Sequence, residues 1–177
     1  MRITENYVLF FSYRDMFSNH FRCDNKFGLS KHKEKGVFFS TVEHFMMYEK
    51  AMLFGDTEIA EQIAREFAPQ KAKMLGRKVK GFDSEVWDAE CMRIVENGIA
   101  CKLVHNDDIW ISALDLRRSG KSFVEASPFD SIWGIKMGEW EEGVTDPYRW
   151  KGENRLGQCW DNVTDMFIQS GNQRGKS

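Results

Sequence analysis

The chain has 177 residues, 25 basic against 27 acidic side chains and 42% hydrophobic content, the signature of one globular domain that buries its own core without disulfides or metal. A net charge of -2 excludes a strongly cationic nucleic-acid coat and leaves room only for a local basic groove. Aromatic residues make up 14% of the chain, as 14 Phe, 6 Trp and 4 Tyr, and such rings either fill a core or wall a site for a planar ligand.

In chain order, the apolar run 7–13 reads as a buried strand. The charged segment 31–36 (KHKEKG) reads as an exposed turn before a second strand, 37–40. Thr41 is placed to cap a helix over 42–54 that Gly55 stops, and Asp56 to cap the next, over 57–67. Pro69 opens a short helix through Leu75 that Gly76 closes. Asp83 or Ser84 opens a long helix over 85–104, whose core face is marked by Trp87, Cys91, Ile94, Val95 and Gly98. A glycine in mid-helix there points to tight packing. Asn106 caps a further helix to Arg117, and 122–126 and 132–135 read as short strands around Ser127-Pro128-Phe129-Asp130.

Residues 137–153 carry Trp140, Tyr148 and Trp150 without a clean period, either a lid over a site or an exposed patch. A last helix runs from Asn154 or Arg155 to about Ile168, and 170–177 is a polar tail. Helices with a few short strands, outside regular βαβ alternation, predict a mainly helical α+β fold in a single domain, 1–169. Phe10, Phe11, Phe38 and Phe39 are assigned to its core.

No apolar run reaches the ~18 residues a membrane span needs. Arg2, Glu5 and Asn6 interrupt what would be a signal core, so a cytoplasmic location is expected. Cys23, Cys91, Cys101 and Cys159 are scattered, and none of the 4 His has a partner at ligand spacing, so neither metal nor cofactor is expected. Residues 152–157 have the glycine spacing of a phosphate loop but continue Gln158-Cys159, and no dinucleotide fingerprint follows a strand.

Three constellations carry chemistry. Glu43 and Lys50 lie two turns apart on one helix, with Met46 and Met47 between them. Buried, such an amine loses solvation of its charged form and becomes a nucleophile; exposed, both are ordinary surface charges. Asp130 stands three residues before Trp133-Gly134, where it either caps backbone amides or serves as a second carboxylate, and the indole offers a stacking face. Lys102 falls on the core face of the long helix, as a snorkelling side chain or an anion contact.

The stretches Phe17-Ser18-Asn19, Ser40-Thr41-Val42-Glu43-His44-Phe45 to Lys50-Ala51, Leu75-Gly76-Arg77, Trp87 with Cys101-Lys102-Leu103, Val124-Glu125-Ala126-Ser127-Pro128 to Asp130 with Trp133-Gly134, and Asn154-Arg155-Leu156-Gly157 occur in that order. Together they resemble the NADAR family, which includes the YbiA-like N-glycosidases, over about 10–166. The resemblance implies a YbiA-like fold and cleavage of a ribose-to-nitrogen bond. It also implies two substrate classes, ADP-ribose on guanine in nucleic acid or nucleotides, and phosphorylated ribosylaminopyrimidine intermediates of riboflavin synthesis. Carried over by position, Glu43, Lys50 and Asp130 are the catalytic residues, with Lys50 the Schiff-base lysine. Asn19, Arg77, Trp87, Lys102, Trp133, Gly134 and Asn154 are the substrate-binding ones. Neither a membrane nor an obligate protein partner is implied. His20 after Phe-Ser-Asn and Cys101-Lys102-Leu103 depart from the common pattern at the pocket edge. The alternative is a non-catalytic module binding ADP-ribose or a nucleotide, which would need no acid.

Overall fold

Strand β1 (Arg2–Ile3) runs antiparallel to β2 (Tyr7–Phe10), and β2 pairs in parallel with β3 (Ser122–Glu125), from Tyr7 opposite Ser122 to Phe10 opposite Glu125. The computed structural model describes residues 1–171, so most of the expected polar tail, 172–177, lies outside the described residues. The strand expected over 7–13 is β2. It stops at Phe10 because Asp15 Oδ2 accepts from the amides of Phe11 and Ser12, each at 2.9 Å, and turns the chain.

Seven α-helices follow this opening among the described residues. Helix α1 (Ser30–Lys33) replaces the expected exposed turn, because His32 is buried and its Nε2 meets Glu49 Oε1 at 2.6 Å. The strand expected at 37–40 is reduced to a single bridge between Phe39 and Phe27. Phe39 is buried while Phe38 is exposed, and Phe10 is buried while Phe11 is exposed. Half of that proposed core set therefore faces solvent, since adjacent residues of extended chain point to opposite sides.

Helix α2 (Val42–Leu53) starts at the predicted cap, with Thr41 Oγ1 accepting from the His44 amide at 3.2 Å, and every residue from Val42 to Tyr48 is buried. It is the central helix, packed by α3 (Thr57–Arg65), α4 (Pro69–Gly76) and α5 (Ser84–His105). Asp56 caps α3 and Asp83 caps α5 as expected. Helix α3 ends before the expected Phe67 because Glu66 is extended, leaving Phe67 on the surface. A Cβ on Gly98 would stand 3.0 Å from a Phe45 ring carbon, so its absence lets α5 close on α2.

Helix α6 (Asp107–Arg118) leads to β3, and α7 (Arg155–Gln169) lies across β3 and α5. The main core sits between these helices and one face of the sheet, with Phe10, Phe17, Phe45, Phe123 and Trp160 in it. A smaller core covers the other face, formed by Leu9, Val124, Ala126, Ile135, Met137 and Val144. The alternation of Val8 and Phe10 against Leu9, and of Phe123 against Val124, assigns the two faces.

The strand expected at 132–135 is not formed; that segment is a turn organised by Asp130. The aperiodic 137–153 segment wraps the smaller core. Trp150 donates to the Val144 carbonyl at 2.8 Å and meets Tyr7 edge-on, while Trp140 lies beneath Arg2 and Tyr148 is fully exposed. Among the described residues, no helix is long and apolar enough to cross a membrane.

Candidate active site

The polar face of the central helix opens into a cavity of about 240 Å³ lined by side chains from five parts of the chain. Glu43, Met46, Met47 and Lys50 come from α2, Lys73 from α4 with Arg77 at its end, and Trp87 from α5. Asn19 and His20 come from the loop after β2. Glu125 ends β3, and Asp130, Ile132 and Trp133 follow it.

Glu43 stands in the first turn of α2, where the helix dipole favours an anion. It is 2% exposed, its Oε1 has no hydrogen-bond partner, and its Oε2 lies 3.5 Å from His20 Nε2. Its backbone amide donates to the Asn19 carbonyl at 2.9 Å, which ties the loop to the helix. Asn19 Oδ1 is also buried and unpaired. Buried polar atoms without partners carry a desolvation cost, which hydrogen bonds from a molecule in the cavity would offset.

Lys50 is partly buried, with Nζ 4.2 Å from the Phe82 ring centre and 5.3 Å from that of Trp87. Burial, and then the nearby charge of Arg77, push its pKa down, while Glu43 opposes them. The shift runs toward the neutral, nucleophilic amine.

Asp130 does what a turn aspartate does and also lines the cavity. Its Oδ1 accepts from the amides of Ile132 at 2.9 Å and Trp133 at 2.8 Å, while Ser127 Oγ accepts from the Asp130 amide. Glu125 is the most perturbed acid here. Burial first, then the charges of Asp130 and Glu43, raise its carboxyl to about 8 against the opposing Lys73, and its Oε2 has no partner.

Of the residues selected from the sequence, Asn19, Glu43, Lys50, Arg77, Trp87, Asp130 and Trp133 line this cavity, and Lys102, Gly134 and Asn154 do not. Lys102 is fully buried, and its ammonium donates to the carbonyls of Met16 and Ser18, so it holds the Asn19 loop from behind. Burial pushes its pKa down to about 8. Gly134 exists for packing: a Cβ there would stand 2.8 Å from the Glu125 carbonyl oxygen. Asn154, in the left-handed region at φ 55°, accepts from the Glu125 amide at 2.9 Å and donates to the Phe123 carbonyl at 3.0 Å, clasping α7 to β3.

In the sequence Glu125 enters only as part of a motif and His20 only as a departure at the pocket edge, and Lys73 is not singled out. Glu125 is two residues after Phe123 on a predicted strand, hence on the same face. Lys73 lies on the expected helix through Leu75, four residues before Arg77, which follows its closing Gly76. Both spacings were available. A second groove, about 530 Å³, shares His20 with the cavity and is lined by Tyr13, Arg14, Phe21, Arg22 and Phe67 among others. Arg22 lies 3.8 Å over the Phe67 ring, and Tyr13 and Phe67 are exposed.

The solved structure of YbiA from E. coli has the same fold, with a TM-score of 0.73 at 19% identity over 99% of this chain and 94% of that one. Protein irg-1 of Caenorhabditis elegans is 33% identical over 92% of this chain and 80% of its own length. N-glycosidase R617 of Acanthamoeba polyphaga mimivirus is 34% identical over 71% of this chain and 72% of its own. The NADAR domain model matches residues 9–167, so nearly the whole fold, cavity included, is covered, and this chain belongs to the NADAR family.

Proposed function

We propose that the protein is an N-glycosidase that cleaves a ribose-to-nitrogen bond in this cavity. The observation that carries the reading is the convergence of three carboxylates, Glu43, Glu125 and Asp130, with the partly buried amine of Lys50, which lies against Phe82 and Trp87. The similarity to N-glycosidase R617 supports it.

Cleavage develops positive charge at the sugar C1, as in O-glycoside hydrolysis. Glu43, held in the first turn of α2 beside His20, is placed to stabilise that charge or move a proton, and Asp130 to anchor the sugar from a fixed turn. Lys50 attacks C1 of the opened ribose to form an imine that water later hydrolyses. Trp87 and Trp133 supply the faces for the base, and Lys73 and Arg77 the cations for a phosphate.

The substrate is an ADP-ribosylated guanine, in a nucleotide, DNA or RNA, or a phosphorylated ribosylaminopyrimidine. The arginine and aromatic groove that adjoins the cavity at His20 favours the first, which has a further base and phosphates to place there. The test is release of free base from the two substrates side by side, followed by chromatography, with borohydride added during turnover. A reduced sugar adduct on Lys50 is expected. Turnover by Lys50→Ala without any adduct removes the imine step, and turnover by Glu43→Gln removes the assignment of Glu43.

A further inference from the structure

We infer that Glu125 is the catalytic acid that protonates the departing base; the inference rests on the N-glycosidase reading above. Three carboxyl groups share the cavity, and their surroundings separate them. Asp130 commits Oδ1 to two backbone amides, which need an acceptor. Glu43 sits at a helix N-terminus facing His20, where negative charge is favoured. Glu125 has neither arrangement; its Oε2, like Glu43 Oε1, is buried without a partner, and what sets it apart is burial beside two other acids.

Its backbone is held from both sides. The amide donates to Asn154 Oδ1, the carbonyl accepts from the Ile135 amide at 3.0 Å, and the residue closes the parallel pairing opposite Phe10. The carboxyl therefore leaves the strand end at one fixed place, on the face it shares with Phe123. The charged groups around it are Asp130 on its own loop, Glu43 and Lys50 from α2, Lys73 and Arg77 from α4 and its end, and His20 from the first loop. Burial and the two acids outweigh Lys73, so the carboxyl keeps its proton at neutral pH.

In the step, the C1–N bond breaks and its electron pair goes to the leaving nitrogen. That nitrogen takes the proton of Glu125, which becomes a carboxylate. The nucleophile at C1, Lys50 or water, gives up one proton to Glu43, and the proton passes back to Glu125 before the next turnover. One water is consumed in all, as the nucleophile or in hydrolysing the imine, and the step changes no oxidation state.

The test is the pH profile of kcat/KM for wild type, Glu125→Gln and Glu125→Asp, with urea midpoints measured over the same range. In wild type, activity should fall tenfold per pH unit above about 8, as the acid form is lost. Glu125→Gln should lose on the order of 10²–10⁴-fold and show no such limb, while Glu125→Asp should keep the limb at lower amplitude. The midpoints require no substrate. Raised from 4.5 to about 8 in the fold, Glu125 costs stability as pH rises through that window. Glu125→Gln should therefore match wild type near pH 4.5 and exceed it near pH 8. Turnover by Glu125→Gln within tenfold of wild type, or midpoints that stay parallel, overturns the assignment. A wild type that releases no base while the midpoints diverge as described instead overturns the N-glycosidase reading.

Discussion

Replacing Asn154 by alanine tests whether this side chain is the clasp between β3 and α7. The change strips the Glu125 amide of its acceptor and the Phe123 carbonyl of its donor, both inside the protein. Each buried backbone group left unpaired costs roughly 1–3 kcal/mol. Alanine at φ 55° also pays for the left-handed region, on the order of 1 kcal/mol. Together Asn154→Ala should lose roughly 3–7 kcal/mol, a large share of the ~5–15 kcal/mol that holds a typical domain. Asn154→Gly escapes the backbone penalty and should be about 1 kcal/mol more stable than the alanine variant. Urea unfolding followed by circular dichroism, compared at constant m, measures both. A loss under 1 kcal/mol for alanine would refute the clasp, and glycine and alanine unfolding together would refute the backbone penalty.

Lys102 titrates in the wrong direction for a surface lysine. Its folded pKa of about 8 lies below the ordinary 10.5, so between those values the unfolded chain holds the extra proton and stability rises with pH, by roughly 3 kcal/mol. Lys102→Met should remove that rise, seen as urea midpoints that no longer climb from pH 8 to 10.5. Gly157→Ala should be worse than Gly98→Ala, because its Cβ would meet the Phe123 carbonyl oxygen at 2.1 Å and backbone cannot yield, whereas Gly98 faces a Phe45 ring at 3.0 Å. Thermal unfolding should show about 1–3 kcal/mol lost at Gly98 and little or no folded protein at Gly157. Asp130→Asn should keep the turn, since its amide oxygen can still accept from Ile132 and Trp133, and so leave the melting temperature within a few degrees while lowering kcat. Asp130→Ala should lower both.

Helix starts were legible because capping is local: Thr41, Asp56 and Asp83 each accept from an amide two or three residues on. The strands at 37–40 and 132–135 were misread for the opposite reason. A strand exists only through a partner elsewhere, and one bridge and one aspartate turn are what these segments found. The cavity lining was legible where helical spacing brings side chains together, as for Glu43 and Lys50. Lys102 and Asn154 show the limit. Both stand in motifs that resemble the family's, yet one holds a loop and the other a strand, and only the distances separate such roles from contact with a ligand.

The parallel pairing of β2 with β3 joins residues 7–10 to residues 122–125. Strand β2 is also the middle strand, so residues 1–10 must wait for more than a hundred further residues before long-range partners such as β3, or the Glu139 carbonyl that Arg2 contacts, exist. Closing so long a loop is entropically costly and slows folding. The helices from α2 to α6 have local contacts and can collapse beforehand, but Glu125 lacks its strand partner Phe10 until β2 docks. Catalytic competence should therefore follow the pairing of β2 with β3, and deleting residues 1–10 should leave a helical yet inactive protein.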